Sequence, residues 1–164
     1  MVTENSTQKL WRGRIYAYAP LILWLAVIFI NSSTVGATNN TSRIIRPLLE
    51  WLFPSATPAM LDVYHGYIRK LAHFTEYGVL SFLAARAFWA SSQNVLRRFW
   101  YVHAFLLAAL VAALDEYNQS FNNARTGSVY DVLIDVAGSL FAVAVLYVCN
   151  RRGRKTTRNM NKAV

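Results

Sequence analysis

The chain has 164 residues, a length that fits one domain. Hydrophobic residues make up 55% of it and charged residues only 15%, which excludes intrinsic disorder because disordered chains have the opposite balance. The single Cys149 excludes an intrachain disulfide, and no Cys/His spacing is typical of structural zinc, so we expect no cofactor. A net charge of +9 is typical of proteins that bind nucleic acid. The positions of the basic residues decide whether that interpretation holds.

The first apolar segment is 15–30, and no formally charged residue occurs throughout 15–42. A helix needs about 20 mostly apolar residues to cross a bilayer, and the segment reaches that length if residues 31–33 form its last turn. A cleaved signal peptide is the alternative, with the small residues 35–37 as its cleavage site. The length of the apolar run and the bulky Trp24 favour an uncleaved transmembrane helix.

The loop that follows contains apolar residues at helical spacing, Ile44, Ile45, Leu48, Leu49 and Leu52. Charged residues alternate with them, so the pattern predicts a short amphipathic helix with N-cap candidates within 40–42 and a break or new first turn at Pro47. Trp51 and Phe53 are candidate membrane anchors. Two positions for this helix stay open, because periodicity cannot separate them: it lies in the outer membrane interface, or it covers the end of the helix bundle.

Three further apolar stretches occupy 71–90, 99–114 and 132–149, and we expect the second helix to begin near Arg69, after an external loop at 34–66. Polar residues interrupt some of these stretches near their ends, where water or partner groups reach them. We therefore predict an all-α membrane protein with four transmembrane helices and a short amphipathic helix in the first external loop. A soluble four-helix bundle is the alternative, and 105–114 disfavours it because that segment has no polar residue on any face.

Basic residues cluster in three places, before the first helix, between the second and third, and after the fourth: Lys9, Arg12 and Arg14; Arg97 and Arg98; Arg151, Arg152, Arg154 and Lys155. The positive-inside rule places these segments, and both termini, in the cytoplasm. We expect an N-terminal cytoplasmic segment at 1–14, a membrane domain at 15–150 and a basic cytoplasmic tail at 151–164. The positive charge thus indicates orientation in a membrane, with anionic lipid and not nucleic acid as the inner partner.

The remaining polar residues gather on the outer side in this topology. They come from the second helix, the third helix, the loop after it and the fourth helix: Lys70, His73, Glu76 and Tyr77; Asp115, Glu116 and Gln119; Arg125 and Ser128; Asp131 and Asp135. We predict that these residues form an outer polar cluster.

Three interpretations of the outer polar cluster stay open. It is a lattice of buried ion pairs that locks the helices together, with Arg69, Lys70 and Arg125 as the available cations. It is a ligand pocket, because ionisable residues within membrane segments often mark functional sites. It is a catalytic or metal centre, in which His73, Glu76 and two aspartates hold a divalent ion. The H-x-x-E spacing is a weak signal for a metal and no HExxH motif occurs, so we predict no metal.

Two blocks of the sequence resemble a known family. Residues 70–80, KLAHFTEYGVL, resemble the K-x-x-H-F-x-x-Y-x-x-L signature of the VanZ-like family, and 115–138 resembles its D-E-x-x-Q-x-F…R-x-x-S-x-x-D-x-x-x-N/D-x-x-G block. The similarity spans 20–148 and includes the first helix. The chain departs from the family pattern at 123–124, Asn-Ala where Pro-Gly is common, and at Asp135, where Asn is frequent.

This resemblance implies a small bacterial inner-membrane protein. The namesake of the family is associated with low-level resistance to the glycopeptide teicoplanin, without a change in the peptidoglycan precursor. We therefore expect a non-enzymatic protein whose outer polar cluster binds an envelope amphiphile, such as a lipid-linked cell-wall precursor or a lipoglycopeptide. The alternative is a membrane-embedded hydrolase or transferase with Glu76 or Asp115 as base, His73 as acid or metal ligand and Arg125 as anion clamp. No motif identifies a nucleophile, which ranks the enzyme second.

Overall fold

The computed structural model describes the backbone of residues 3–32, 38–120 and 129–160, and the side chains of 13–32, 42–119 and 129–152. In these ranges the chain forms helices joined by short turns and contains no strand. The helices are α1 (Thr3–Ser32), α2 (Thr38–Leu52), α3 (Pro58–Trp89), α4 (Asn94–Arg98), α5 (Trp100–Ser120) and α6 (Val129–Met160).

Three helices are long and apolar enough to cross a membrane, over Gly13–Ser32 of α1, Trp100–Gln119 of α5 and Val129–Arg152 of α6. Only 22%, 33% and 22% of the residues in their most apolar windows are buried within the protein. Most of this apolar surface is therefore not covered by the protein, as expected for helices that contact the hydrocarbon core of a bilayer. The predicted span at 71–90 lies in α3 and does not meet the same criterion, because His73, Glu76 and Arg86 interrupt it.

The helix α3 begins about three turns earlier than the sequence-based start near Arg69, which was wrong. Thr57 is the N-cap, its hydroxyl accepts a hydrogen bond from the Met60 N–H at 3.4 Å, and Pro58 occupies the first helical turn. Much of the predicted external loop is therefore helical, and only a short turn separates α2 from α3.

The helix α3 lies at the centre and packs against each of α1, α5 and α6. Contacts at the middle and at the C-terminal end of α3 show that α1 and α5 run antiparallel to it. Asn31 of α1 meets Glu76, whereas Arg14 at the other end of α1 meets Ser92 just after α3. Tyr77 contacts Asp115 of α5, whereas Trp89 stacks on Trp100 at the start of α5. The helix α6 runs parallel to α3, because His73 meets Asp135 and Ser81 meets Ser139.

Small residues allow these helices to approach closely. Ala104, Ala108 and Ala112 form a fully buried stripe on α5. On α6, a Cβ atom added to Gly138 would overlap the backbone carbonyl of Phe74, so only glycine permits this contact with α3. The contact lies next to His73 and one turn from Asp135, and it fixes the two helices where the polar residues meet.

This arrangement gives the bundle two distinct ends. We call the end formed by Ser32, Gln119 and Asp131 the pocket end, because α1 and α5 end there and α6 begins there. The opposite end, called the basic end, contains Arg14 and Arg97. The described carboxylates all lie at or near the pocket end, together with the basic residues Arg46, Arg69 and Lys70.

Candidate functional site

A cavity of about 180 Å³ opens at the pocket end between α1, α2, α3 and α5. Its wall combines aliphatic and polar side chains: Ile28, Asn31, Ser32, Ile45, His65, Ile68, Arg69, Ala72, His73, Glu76, Asp115 and Gln119. We call this space the outer cavity. A wall with both aliphatic groups and charges of both signs suits a ligand that is itself amphiphilic.

Three buried ionisable side chains meet at the floor of the outer cavity, and each comes from a different helix. His73 of α3, Asp115 of α5 and Asp135 of α6 are 7%, 6% and 2% exposed. One donor atom from each lies within 4.8 Å of the others. His73 and Asp115 line the cavity itself, and Asp135 lies behind them. We call these residues the His–Asp–Asp cluster.

Contacts within the cluster leave part of its bonding capacity unused. His73 Nδ1 is 3.2 Å from Asp135 Oδ1, but the atoms are not oriented as a hydrogen bond. The Tyr77 hydroxyl donates a hydrogen bond of 3.0 Å to Asp115 Oδ2, and Tyr77 is fully buried. Among the described side chains, His73 Nδ1, Asp115 Oδ1 and Asp135 Oδ1 are buried atoms that no hydrogen bond satisfies.

Polar contacts of the last turn of α1 fix that helix beside the cavity. Asn31 Nδ2 donates to Glu76 Oε1 at 3.2 Å, and the Trp24 indole N–H donates to the Glu76 carbonyl at 3.0 Å. Asn118 Nδ2 donates to the Ser32 hydroxyl at 3.1 Å, which joins α5 to α1. Glu76 thus presents a carboxylate to the cavity whose position α1 determines.

A second recess lies next to the outer cavity and has a volume of about 290 Å³. Its wall contains Lys70 and the ion pair between Arg69 and Asp131, whose Nη2 and Oδ2 atoms are 3.0 Å apart. His65 and Arg69 line both spaces. The Arg69–Asp131 pair joins α3 to α6 one helical turn from the His73–Asp135 contact.

The predicted site residues divide into five groups in the structure. His73, Glu76, Asp115 and Gln119 line the outer cavity, and Tyr77 and Asp135 support its floor. Lys70 and Asp131 line the second recess, while Glu116 is half-buried and lines neither space. Arg125 and Ser128 lie outside the described residues.

The sequence-based set omitted four polar residues that line the outer cavity, Asn31, Ser32, His65 and Arg69. A signal for two of them was available: His65, Arg69 and His73 recur every four residues, which places them along one helix face. The signal was missed because the segment before Arg69 was interpreted as loop. For Asn31 and Ser32, the signal was their position as polar residues at the end of the apolar first helix.

The fold and the site together define a helical membrane protein with a polar cavity at one end of the bundle. The family model described as VanZ/LLP1 matches residues 17–150. The chain therefore belongs to the VanZ/LLP1 family, and the match contains every residue of the outer cavity. No curated protein and no solved structure matches the chain.

Proposed function

We propose that the protein crosses the inner membrane four times, with α3 as the additional span. Support comes from the packing of α3, which contacts all three apolar spans. Tyr77, Leu80, Ser81 and Ala84 are fully buried, so this part of α3 lies between the other spans. A helix in that position tolerates His73 and Glu76, because His73 is buried among protein groups and Glu76 is bonded to Asn31. The exposed Arg86 lies nearer the basic end and bonds to the Tyr16 carbonyl.

The orientation follows from the basic residues. Arg14, Arg97 and Arg151 belong to the basic end, which the positive-inside rule places in the cytoplasm together with both termini. The pocket end then faces the outer side of the membrane. An even number of spans is consistent with basic segments at both ends of the chain.

The helix α2 serves as both roof and interfacial helix in this proposal. Ile45 lines the outer cavity and Leu49 is buried, so one side of α2 covers the bundle. Ile44, Leu48 and Trp51 on its other sides are exposed. These exposed apolar groups suit the outer membrane interface, where an amphipathic helix lies in the plane of the headgroups.

The protein binds the polar head of an envelope amphiphile in the outer cavity. The observation that carries this proposal is the cavity itself, in which Arg69, Glu76 and His73 face a wall of isoleucines. Its volume of about 180 Å³ holds one small polar moiety of such a head, for example a phosphate, so the rest of the head and the apolar part of the ligand stay outside the cavity. Lipid-linked cell-wall precursors and lipoglycopeptides have this division, and binding one of them would account for low-level glycopeptide resistance.

A steric variant tests this proposal. Ile45→Trp fills the cavity from the roof, whereas Ile44→Trp places the same side chain on the adjacent, 78% exposed position. Calorimetry on the protein in nanodiscs measures binding of a short-chain lipid-linked peptidoglycan precursor, with teicoplanin as a second probe. We expect binding to the wild type and to Ile44→Trp, and loss of binding in Ile45→Trp. Equal binding by both variants, or no binding of either probe to the wild type, rejects the proposal.

A hydrolase or transferase that acts on a lipid-linked substrate is the second candidate. It is favoured by the His73 imidazole, which lies beside the buried Asp135 carboxylate at the cavity floor. Glu76 or Asp115 would remove a proton from the attacking water, and His73 would donate one to the leaving group. Turnover of a lipid-linked substrate that Glu76→Gln abolishes supports this function; absence of turnover by the wild type rejects it for that substrate.

A further inference from the structure

We propose that His73, Asp115 and Asp135 form a binding site for a divalent transition-metal cation, zinc or manganese, at the floor of the outer cavity. This proposal goes beyond amphiphile binding and does not depend on it, because it concerns only the side chains of the His–Asp–Asp cluster. The sequence analysis predicted no metal, and the metal centre that it left open as an alternative contained Glu76. That side chain instead accepts a hydrogen bond from Asn31.

The distances suit a shared cation. One donor atom from each residue lies within 4.8 Å of the others, and His73 Nδ1 and Asp135 Oδ1 are 3.2 Å apart. Metal–ligand bonds of 2.0–2.2 Å place neighbouring ligand atoms about 3.0–3.5 Å from each other. The remaining separations stay within 4.8 Å, so the three donor atoms already surround one position.

The second line of support is the buried Asp115 Oδ1, which accepts no described hydrogen bond, beside a His73–Asp135 pair whose facing atoms only touch each other at 3.2 Å. Each is more than nine-tenths buried, and each has an atom that no described hydrogen bond satisfies, His73 Nδ1, Asp115 Oδ1 and Asp135 Oδ1. Buried polar atoms are normally paired, and a group of them that points to one spot requires a partner. A divalent cation would also balance the negative charge that two neighbouring carboxylates carry when they are ligands.

The surroundings of the cluster resemble the supporting shell of a metal site. The Tyr77 hydroxyl bonds to Asp115 Oδ2 and leaves Oδ1 available to a metal. The close contact of Gly138 with the Phe74 backbone fixes α6 against α3 and thereby sets the position of Asp135. Hydrogen bonds to ligand carboxylates and a rigid backbone hold ligands in place before the metal binds.

The donor set selects the class of cation. An imidazole favours transition metals over magnesium and calcium, and carboxylates favour zinc or manganese over softer ions. Three protein ligands leave at least one coordination position open, as in catalytic and substrate-binding sites. His73 and Asp115 line the cavity, so the open position is reached from the outer cavity.

Metal binding to the purified full-length chain tests the site directly. Manganese EPR and zinc calorimetry in detergent measure the affinity, and elemental analysis measures the metal content. We expect one saturable ion for each chain. Asp135→Asn and His73→Ala should each weaken binding about 100-fold or more, because each removes a ligand.

Two matched variants serve as controls. Asp62→Asn changes an exposed aspartate on α3, and His103→Ala changes a histidine on α5 near the basic end. Both should bind the ion within about threefold of the wild type, because neither lies in the cluster. The cavity-filling Ile45→Trp should also retain the ion, so a failure of amphiphile binding is distinguishable from a failure of metal binding. The proposal is overturned if neither ion saturates the wild type, or if Asp135→Asn binds as tightly as the wild type.

Discussion

His73 Nδ1 lies 3.2 Å from Asp135 Oδ1, and both side chains are buried although they belong to different helices. This contact joins the central helix α3 to α6 at the pocket end. The Gly138–Phe74 contact that brings the two helices together lies one turn away, so close helix packing and buried ionisable groups occur in the same region. The predictions below separate the packing role from the binding role.

Gly138→Ala should destabilise the protein and separate α3 from α6. The added Cβ overlaps the Phe74 carbonyl, which is backbone and cannot rotate away. We expect the free energy of unfolding to fall by about 1–3 kcal/mol, as for other overpacked positions. Equilibrium unfolding in mixed detergent micelles measures the change.

Gly66→Ala on α3 is the matched control for that change, because nothing lies within 4 Å of its added Cβ. Alanine is the better helix former by about 1 kcal/mol, so this variant should be as stable as the wild type or more stable. If Gly138→Ala and Gly66→Ala have the same stability, the close contact does not hold the helices together.

Tyr77→Phe should destabilise the protein although the aromatic ring is retained. The hydroxyl is the donor to Asp115 Oδ2, and its loss leaves a buried carboxylate oxygen without that bond. We expect a loss of about 1–3 kcal/mol in the free energy of unfolding. Tyr67→Phe, at an exposed position of the same helix, should change it by less than about 0.5 kcal/mol. Equal losses in the two variants would contradict a role for the Tyr77 hydroxyl.

Removal of the proposed cation should lower the thermal stability of the wild type. A ligand present at 100 times its Kd stabilises the folded state by about 2.7 kcal/mol, and a chelator removes that contribution. Thermal unfolding with and without EDTA, followed by addition of excess zinc, measures the effect. His73→Ala should be insensitive to the chelator; the same EDTA-dependent shift in this variant would place the ion elsewhere.

Labelling with a membrane-impermeant maleimide tests whether α3 crosses the membrane. In a Cys149→Ala background, Asp62→Cys near the start of α3 should react from outside the cell. Arg97→Cys in α4, after the end of α3, should react only after permeabilisation. Reaction of both positions from the same side would contradict the fourth span.

Much of the architecture could be predicted from the sequence, because hydropathy identifies α1, α5 and α6 directly. The meeting of His73, Asp115 and Asp135 follows from topology once the helix directions are assigned. The start of α3 was not predicted correctly, because the prediction rested on the length of the apolar stretch. Thr57 as N-cap and Pro58 in the first turn mark the true start of the helix. The close approach of α3 and α6 depends on Gly138. The sequence alone does not reveal this role, because it arises only when the two helices pack against each other.

Lys70 illustrates the limit of helical spacing. Its position three residues before His73 placed both on one predicted face, yet three residues turn a helix by about 300° and leave an offset of about 60°. That offset is enough to direct Lys70 to the second recess while His73 faces Asp135 and the outer cavity. Sequence spacing therefore identifies a side of the bundle but not which of two adjacent spaces a residue lines.

Protection of a single cysteine in the outer cavity tests the central claim most directly. In the Cys149→Ala background, Ile45→Cys should react with an impermeant maleimide added outside the cell membrane. A short-chain lipid-linked peptidoglycan precursor should slow that reaction, whereas the reaction of Ile44→Cys, on the exposed side of α2, should keep its rate. Labelling of Ile45→Cys only from the cytoplasmic side, or at a rate that the precursor leaves unchanged, would contradict an outward-facing cavity that binds an envelope amphiphile.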